Sequence, residues 1–142
     1  MSESVKVDVH LNSTIDQVWQ ALTTSETLSK WMMFKSNTFK PELGHEFQFS
    51  GAQGYDQTIE CRVMEIEEPN RLAYSWSAPG VDGELSETQV KFTLSEADGG
   101  TNLSLVQSGF KPEATQELGG AKAGWSYMLA ELANVLTTSR ST

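Results

Sequence analysis

The length of 142 residues fits one domain, residues 1–142, and no apolar run approaches the roughly 20 residues that cross a bilayer. A single cysteine, Cys61, excludes an intramolecular disulfide and a cysteine-rich zinc site, and it favours a reducing, cytoplasmic location. The net charge of −9 comes from residues 41–100, where twelve acidic residues accompany only three basic ones; such a field repels nucleic acids and anionic lipid surfaces.

A strand and two short helices are predicted at the start of the chain. Residues 5–11 alternate valine or leucine with polar side chains, which is the period of a half-buried strand. Thr14 and Gln17 have the spacing of a capping box and predict a helix beginning directly after Thr14. Ser25 is predicted to cap a second helix, whose apolar side chains lie within residues 28–32.

Five more strands are predicted after Pro41, and together they read as an antiparallel meander. The second strand of this series, from Tyr55 to Glu68, changes the parity of its apolar residues after Val63, which predicts a β-bulge near Val63 and Met64. The sequence Asp98-Gly99-Gly100 is a strong turn signal and separates the last two strands.

One long helix is predicted at the end of the chain. From Pro112, apolar residues recur at helical spacing for about 25 residues and end near Leu136. Gly119, Gly120 and Gly124 each weaken this helix by about 1 kcal/mol relative to alanine. We interpret them as a bend or as points where another part of the chain approaches the backbone.

These elements predict an α+β fold, in which the long C-terminal helix covers the concave face of a curved, six-stranded antiparallel sheet. The acidic excess of the middle segment then falls on the outer, solvated face. A bent sheet beneath one helix leaves a concave space, which side chains either fill or leave open as a pocket. The outward set predicted from strand parity is Glu46, Gln48, Glu60, Arg62, Glu65, Glu67, Glu87, Gln89 and Lys91.

Four segments, in this order, resemble the START-like (SRPBCC) superfamily, in its branch named after the activator of the heat-shock-protein-90 ATPase. They are residues 14–31, residues 65–76, residues 101–110 and the stretch from Gly124 to Leu136. The resemblance covers nearly the whole chain and implies a helix-grip fold. It also implies a cavity between the sheet and the C-terminal helix, which in many relatives binds lipids, polyketides or other apolar small molecules.

Twelve residues are candidates to line such a cavity, mostly because they are apolar or aromatic and fall on inward strand positions or on the helix stripe. The hydroxyl of Tyr74, the amide of Gln107 and the indole N–H groups are the candidate polar anchors for a ligand. Ordinary core packing is the alternative for each residue. The candidates are Trp31, Phe34, Phe49, Ile59, Cys61, Tyr74, Trp76, Phe92, Gln107, Phe110, Trp125 and Met128.

The sequence offers little support for catalysis by a nucleophile or a metal. His10 and His45 are predicted at outward positions on different strands, without a set of further metal ligands. Cys61 is predicted as a buried, unreactive thiol. No nucleophile elbow or phosphate-binding glycine loop is present. We therefore expect no catalytic residue, metal or cofactor.

The function that the sequence favours is binding of an apolar or aromatic small molecule, lipid-like or polyketide-like, between the sheet and the C-terminal helix. Two alternatives stay open. One is an interaction protein related to the heat-shock-protein-90 ATPase activator, with a chaperone as partner. The other is a cyclase-type enzyme that acts by shaping its substrate. The surplus of apolar side chains at residues 31–34 suggests a groove or a subunit contact, so a monomer and a homodimer are both compatible with the sequence.

Overall fold

Seven antiparallel strands and three helices make up the fold. The computed structural model describes residues 3–52, 58–79, 85–111 and 115–140. In chain order the elements are β1 (Glu3–Leu11), α1 (Ile15–Thr23), α2 (Ser25–Trp31), β2 (Ser36–Asn37), β3 (Glu46–Ser50), β4 (Ile59–Glu67), β5 (Arg71–Pro79), β6 (Leu85–Ala97), β7 (Gly100–Phe110) and α3 (Thr115–Arg140).

The strands form one sheet in the order β1-β7-β6-β5-β4-β3-β2. This arrangement, with the long helix α3 packed against it, confirms the predicted α+β helix-grip architecture. The predicted number of six strands is wrong because Ser36 and Asn37 add a seventh at the sheet edge, beside β3. Two polar residues are too short to show a period of two, so sequence periodicity could not reveal this strand.

The capping box at the start of α1 is confirmed. The backbone N–H of Gln17 donates to the Thr14 hydroxyl at 3.2 Å, and the backbone N–H of Thr14 donates to the Gln17 side chain at 3.0 Å. The predicted cap at Ser25 is wrong, since Thr24 is the N-cap of α2 and makes no side-chain cap bond. Ser25 instead joins α2 to β2, because its carbonyl accepts a 3.0 Å hydrogen bond from the Asn37 side chain.

The predicted bulge in β4 is confirmed by a shift of register between Val63 and Glu65. Val63 is buried before the shift, whereas Met64 is 53% exposed and Ile66 is half-buried after it. A bulge bends a strand and increases its twist, which helps the sheet to curve around the core. The predicted beginning of this strand at Tyr55 lies outside the described residues.

The tight turn between β6 and β7 is also confirmed. Asp98 and Gly99 have positive φ angles of 50° and 76°, and Ala97 pairs with Gly100 across the turn. Two consecutive positive φ values define the hairpin turn that matches the twist of antiparallel strands. Gly100 must be a glycine, because a Cβ atom there would collide with the carbonyl of Leu11.

The outer face of the sheet carries the charged side chains that strand parity placed there. Nearly all of them are exposed, and only Glu65 is half-buried. Lys91 and Glu65 form an ion pair at 3.4 Å from strands on either side of β5. Ala73 of β5 lies between these two residues, and it is buried although it faces outward.

Helix α3 contributes Trp125, Met128, Leu129 and Leu132 to the core. The predicted close approach of another part of the chain is wrong at Gly119 and Gly120, where an added Cβ atom would meet nothing within 4 Å. It is right at Gly124, where the terminal carbon of Met33 would lie 3.2 Å from such an atom. The predicted first turn at Pro112 lies outside the described residues. None of the described helices has the length and hydropathy needed to cross a membrane.

Candidate ligand-binding site

Six aromatic side chains meet where the sheet faces α3, and we call them the aromatic cluster. Its closest ring pairs are Phe34 with Phe49 and Trp76 with Trp125, each with centroids 5.5 Å apart. Trp76 also lies 5.6 Å from Phe49. These are tilted contacts at the distances that aromatic pairs favour. The members of the cluster are Phe34, Phe49, Tyr74, Trp76, Phe92 and Trp125.

Strand parity and one loop bring the cluster together. Phe49 on β3, Tyr74 and Trp76 on β5 and Phe92 on β6 all occupy inward positions of neighbouring or nearby strands. Phe34 follows α2 and packs against Trp76 with ring centroids 6.0 Å apart. The helix supplies the remaining ring, so the cluster spans both layers of the fold.

Burial decreases along the inward row of β5 toward the end of that strand. Leu72 and Tyr74 are only 0% and 1% exposed, whereas Trp76 and Ala78 are half-buried. Burial also varies along the apolar stripe of α3: Ala121 is half-buried, whereas Trp125, four residues later, is buried. The side of the aromatic cluster that contains Trp76 is therefore the side that solvent reaches.

A buried chain of hydrogen bonds joins α3 to three strands beside the cluster. The Trp125 indole N–H donates to the Gln107 side chain at 2.8 Å, and the Gln107 amide N–H donates to the Thr88 hydroxyl at 2.7 Å. The Thr88 hydroxyl donates to the backbone carbonyl of Trp76 at 3.2 Å. The sequence analysis did not identify Thr88 as part of this chain of hydrogen bonds. A polar side chain on the otherwise apolar inward row of β6 was the feature that could have indicated it.

The predicted polar anchors are mostly engaged within the protein itself. Both ends of the Gln107 amide and the indole of Trp125 belong to the chain of bonds just described. The indole N–H of Trp31 donates to the carbonyl of Ala21 at 2.9 Å. Tyr74 is almost completely buried, and this burial, together with the nearby Cys61, raises the pKa of its hydroxyl well above the ordinary value.

Most of the twelve predicted site residues come together in the structure. Nine belong to the apolar core, and Trp76 packs against it. Gln107 joins the same region through its hydrogen bond to Trp125. Phe110 is buried at the end of β7 but lies outside the apolar core. The nine are Trp31, Phe34, Phe49, Ile59, Cys61, Tyr74, Phe92, Trp125 and Met128.

Cys61 and Met33 bear on two other sequence-based questions, namely nucleophilic catalysis and an apolar surface after α2. Cys61 is buried, and desolvation, followed by the charge of Glu60, raises the pKa of its thiol, so the group stays protonated and poorly nucleophilic. In the apolar segment after α2, Met33 is 44% exposed, while its neighbours Met32 and Phe34 are buried.

The two histidines lie apart from each other. His10 is exposed on β1 and forms a 2.7 Å hydrogen bond with Asn102. His45 lies just before β3 rather than on a strand, and it is half-buried rather than outward. It donates to the carbonyl of Thr38 at 2.8 Å and stacks on Phe47. Within the part of the chain that the structure describes, no group of three potential metal ligands is present.

Two surface depressions among the described residues lie away from the aromatic cluster. One, of about 400 Å³, is formed on β1, β6 and β7 around His10 and Asn102. The other, of about 510 Å³, lies between the start of α1 and the turn at Asp98. Neither is lined by any of the twelve predicted site residues.

Comparisons with known proteins agree with this fold. The sequence profile of the family described as Activator of Hsp90 ATPase homolog 1-like protein matches residues 12–137. This match confirms the resemblance drawn from the sequence motifs. A search of curated proteins finds no match.

Several solved structures share the architecture over nearly the whole chain. Protein MLL2253 from Mesorhizobium loti is 33% identical, with a TM-score of 0.87, and the alignment covers 96% of this chain and 98% of that protein. Protein BH1534 from Bacillus halodurans is 28% identical, with a TM-score of 0.76, and the alignment covers 94% and 96%. DynU16 is 27% identical, with a TM-score of 0.81; the alignment covers 96% of this chain but only 48% of DynU16.

Proposed function

The chain belongs to the Activator of Hsp90 ATPase homolog 1-like family, and from that premise we propose that it binds an apolar or aromatic small molecule between the sheet and α3. The observation that carries this proposal is the half-buried state of Trp76 inside a cluster of buried rings. A large aromatic side chain that solvent still reaches, with apolar neighbours on several sides, provides the wall that such ligands need.

The ligand enters beside the end of β5 in this proposal. Trp76 and Ala78 offer accessible apolar surface there, and the half-buried Ala121 belongs to the part of α3 that precedes Trp125. The residues deeper in the fold, such as Phe92 and Leu105, are fully packed and form the floor. Affinity comes from the apolar area removed from water, at about 25 cal/mol per Å² before the costs of association.

The hydrogen-bonded chain from Trp125 to Trp76 gives the site its rigidity. It fixes the distance between α3 and the middle of the sheet, because each donor in it has an acceptor on the next element. A buried polar network whose members are all paired specifies one arrangement of its surroundings. Discrimination among ligands therefore depends mainly on shape and apolar contact.

Two observations favour binding over nucleophilic catalysis. Among the described residues, the thiol of Cys61 and the hydroxyl of Tyr74 are potential nucleophiles at the cluster, and burial raises the pKa of both. A protonated thiol and a neutral phenol are weak nucleophiles.

DynU16 is described as a protein of the dynemicin biosynthetic locus. That description is compatible with a small-molecule ligand for its relatives, this chain included.

The test uses the neutral fluorescent probe N-phenyl-1-naphthylamine, whose emission rises on entering an apolar site. We expect the wild-type protein to bind it and the substitution Trp76→Lys to weaken binding by about tenfold or more, because a charge then lies against the probe. Met64→Lys is the matched control, since Met64 is exposed on the opposite face of the sheet. Thermal unfolding verifies that both variants fold, and Trp76→Phe, which keeps an aromatic ring, should retain binding.

Equal binding by wild type and Trp76→Lys contradicts the placement of the site. Lack of probe binding, combined with native mass spectrometry that shows no retained small molecule after purification, contradicts the function itself.

A second candidate function is contact with a chaperone, and the acidic outer face favours it. Glu46, Glu60 and Glu67 project from β3 and β4 into solvent. Rows of exposed carboxylates attract a basic protein surface, and such attraction weakens as salt is added. A salt-sensitive pull-down of the chaperone that Glu60→Lys abolishes supports this candidate, whereas probe binding at the aromatic cluster does not depend on salt.

A further inference from the structure

Strand β1 lies at an edge of the sheet, and its sequence is complementary to itself. Its hydrogen-bonded neighbour in the described residues is β7, on one side. The regular part of this pairing runs from Ser4 to Leu11, since a register shift separates Glu3 from Ser4. An edge of this length presents unpaired backbone groups that can pair with another strand.

We propose that a second copy of this chain pairs with this edge, antiparallel and centred on Val7. Two strands related by a twofold axis run antiparallel, so residues whose numbers sum to fourteen lie opposite each other. Lys6 then faces Asp8 of the other copy, and Asp8 faces Lys6 of the other copy. Within one chain these two side chains form an ion pair at 3.9 Å on the outer face, and each is 63% accessible. Strand pairing therefore places two such ion pairs side by side, with opposite charges facing each other.

The inner face of the same register joins apolar residues. Val7 meets its own counterpart, and Val5 meets Val9 in both directions. Val7 and Val9 are only half-buried in the single chain, unlike Val5, which is 5% exposed. Pairing covers the part of these two valines that remains open to water, which is favourable.

Neighbouring registers are disfavoured by the same side chains. Centring the pair on Lys6 places two lysines opposite each other, and centring it on Asp8 places two aspartates opposite each other. Like charges directly opposite destabilise a strand pair. A shift that pairs odd with even positions would set inward residues against outward ones. The register centred on Val7 avoids both faults.

The charge distribution of the chain permits this association. The net charge of −9 comes from residues 41–100, whereas residues 1–40 carry four acidic and four basic side chains. Two copies that meet along β1 therefore bring together a neutral part of each molecule. One strand edge is a small interface, so we expect a dimer that dissociates on dilution.

The experiment is sedimentation equilibrium of the full chain and three variants over a series of concentrations. Lys6→Glu sets a glutamate against Asp8 in both pairs, and Asp8→Lys sets two lysines together in both pairs. We expect each single substitution to weaken dimerisation by about tenfold or more. The double substitution Lys6→Glu with Asp8→Lys restores opposite charges, so its dimerisation should match the wild type.

Mixing the two single variants gives the sharpest readout. In a heterodimer of Lys6→Glu with Asp8→Lys, every facing pair again has opposite charges, so the mixture should dimerise more strongly than either variant does alone. Lys122→Glu, an exposed position on α3, controls for the change in net charge. Thermal unfolding of each variant verifies the fold.

A wild-type protein that stays monomeric at all concentrations overturns the proposal. A dimer that the single variants leave unchanged also overturns it, since the contact then lies elsewhere. A dimer that the single variants weaken, but that neither the double variant nor the mixture restores, overturns the register.

Discussion

The indole N–H of Trp125 on α3 donates a 2.8 Å hydrogen bond to the side-chain oxygen of Gln107 on β7. Both side chains are buried, with exposed fractions of 2% and 4%. Gln107 in turn donates to Thr88. Gln107 thus joins the long helix to β7 and β6, and through Thr88 to the middle strand β5.

Replacing this glutamine should destabilise the whole domain. Gln107→Leu leaves the indole N–H of Trp125 without an acceptor and the Thr88 hydroxyl without a donor. The Thr88 hydroxyl keeps its hydrogen bond to the carbonyl of Trp76, so only the indole N–H is left unpaired. An unpaired buried donor costs about 1–3 kcal/mol, and we expect the free energy of unfolding to fall by about that amount. Urea unfolding followed by tryptophan fluorescence measures this change.

The matched control is Gln89→Leu, at an exposed position of the neighbouring strand β6. It should change the free energy of unfolding by less than about 0.5 kcal/mol. If both substitutions had the same small effect, the bond to Trp125 would contribute little to stability.

The capping box should contribute a measurable part of the stability of α1. Thr14→Ala removes the acceptor for the backbone N–H of Gln17. We expect the free energy of unfolding to fall by about 1 kcal/mol. Thr14→Ser keeps a hydroxyl at the same place and should stay near the wild-type value. Equal losses in both variants would mean that the methyl group of Thr14, rather than its hydroxyl, is responsible.

The sequence was most informative where a local pattern determines the structure. The change of parity after Val63 predicted the bulge, and the spacing of Thr14 and Gln17 predicted the cap. In both places the deciding interactions join residues close in the chain or follow directly from the alternation of a strand. Such patterns are readable without knowledge of the tertiary structure.

Contacts between distant residues were not predictable in the same way. Asn37 holds Ser25 in place from twelve residues away, and no spacing rule connects the two. Gln107 was expected to anchor a ligand, yet its amide is engaged by Trp125 and Thr88. Strand parity indicated that Gln107 faces the interior. Whether its amide binds Trp125 or a ligand depends on how α3 lies on the sheet, which no local pattern reveals.

The exposure of Trp76 shows the same limit at the candidate site. Parity gave Tyr74 and Trp76 the same inward direction, and the structure agrees. Only the three-dimensional arrangement leaves Tyr74 covered and Trp76 half-buried. The composition of the aromatic cluster was therefore predictable, whereas the side from which solvent reaches it was not.

The glycines of α3 provide a test of helix propensity without steric interference. Gly119→Ala and Gly120→Ala should each raise the free energy of unfolding by about 0.4–1 kcal/mol, because a Cβ atom at either position meets open space. Gly124→Ala should gain less, since its Cβ atom would lie 3.2 Å from the terminal carbon of Met33.

A double-mutant cycle isolates the contact at Gly124. In a Met33→Ala background the crowding disappears, so Gly124→Ala should then stabilise the protein as much as the other two substitutions do. An unchanged effect of Gly124→Ala in that background would show that Met33 moves aside without cost.

The buried thiol and phenol should make the protein less stable at alkaline pH. Burial raises the pKa of Cys61 above its ordinary value of 9.0 and that of Tyr74 above 10.0. Above the ordinary values the unfolded chain releases these protons, whereas the folded chain keeps them. The unfolded state then binds fewer protons, so the free energy of unfolding falls as pH rises. The dependence begins about one pH unit below the ordinary pKa of Cys61, where the unfolded thiol starts to ionise, and it is negligible at neutral pH.

Urea unfolding across this range, compared among wild type, Cys61→Ala and Tyr74→Phe, checks the assignment. Each group contributes a slope that approaches about 1.4 kcal/mol per pH unit once its unfolded form ionises. Cys61→Ala should reduce the slope from about pH 9 upward, and Tyr74→Phe should reduce it only from about pH 10 upward. The absolute stability of Cys61→Ala also falls, because a small cavity remains, but this loss is the same at every pH. Identical slopes in wild type and both variants would mean that the folded protein lets these groups ionise as freely as the unfolded chain does.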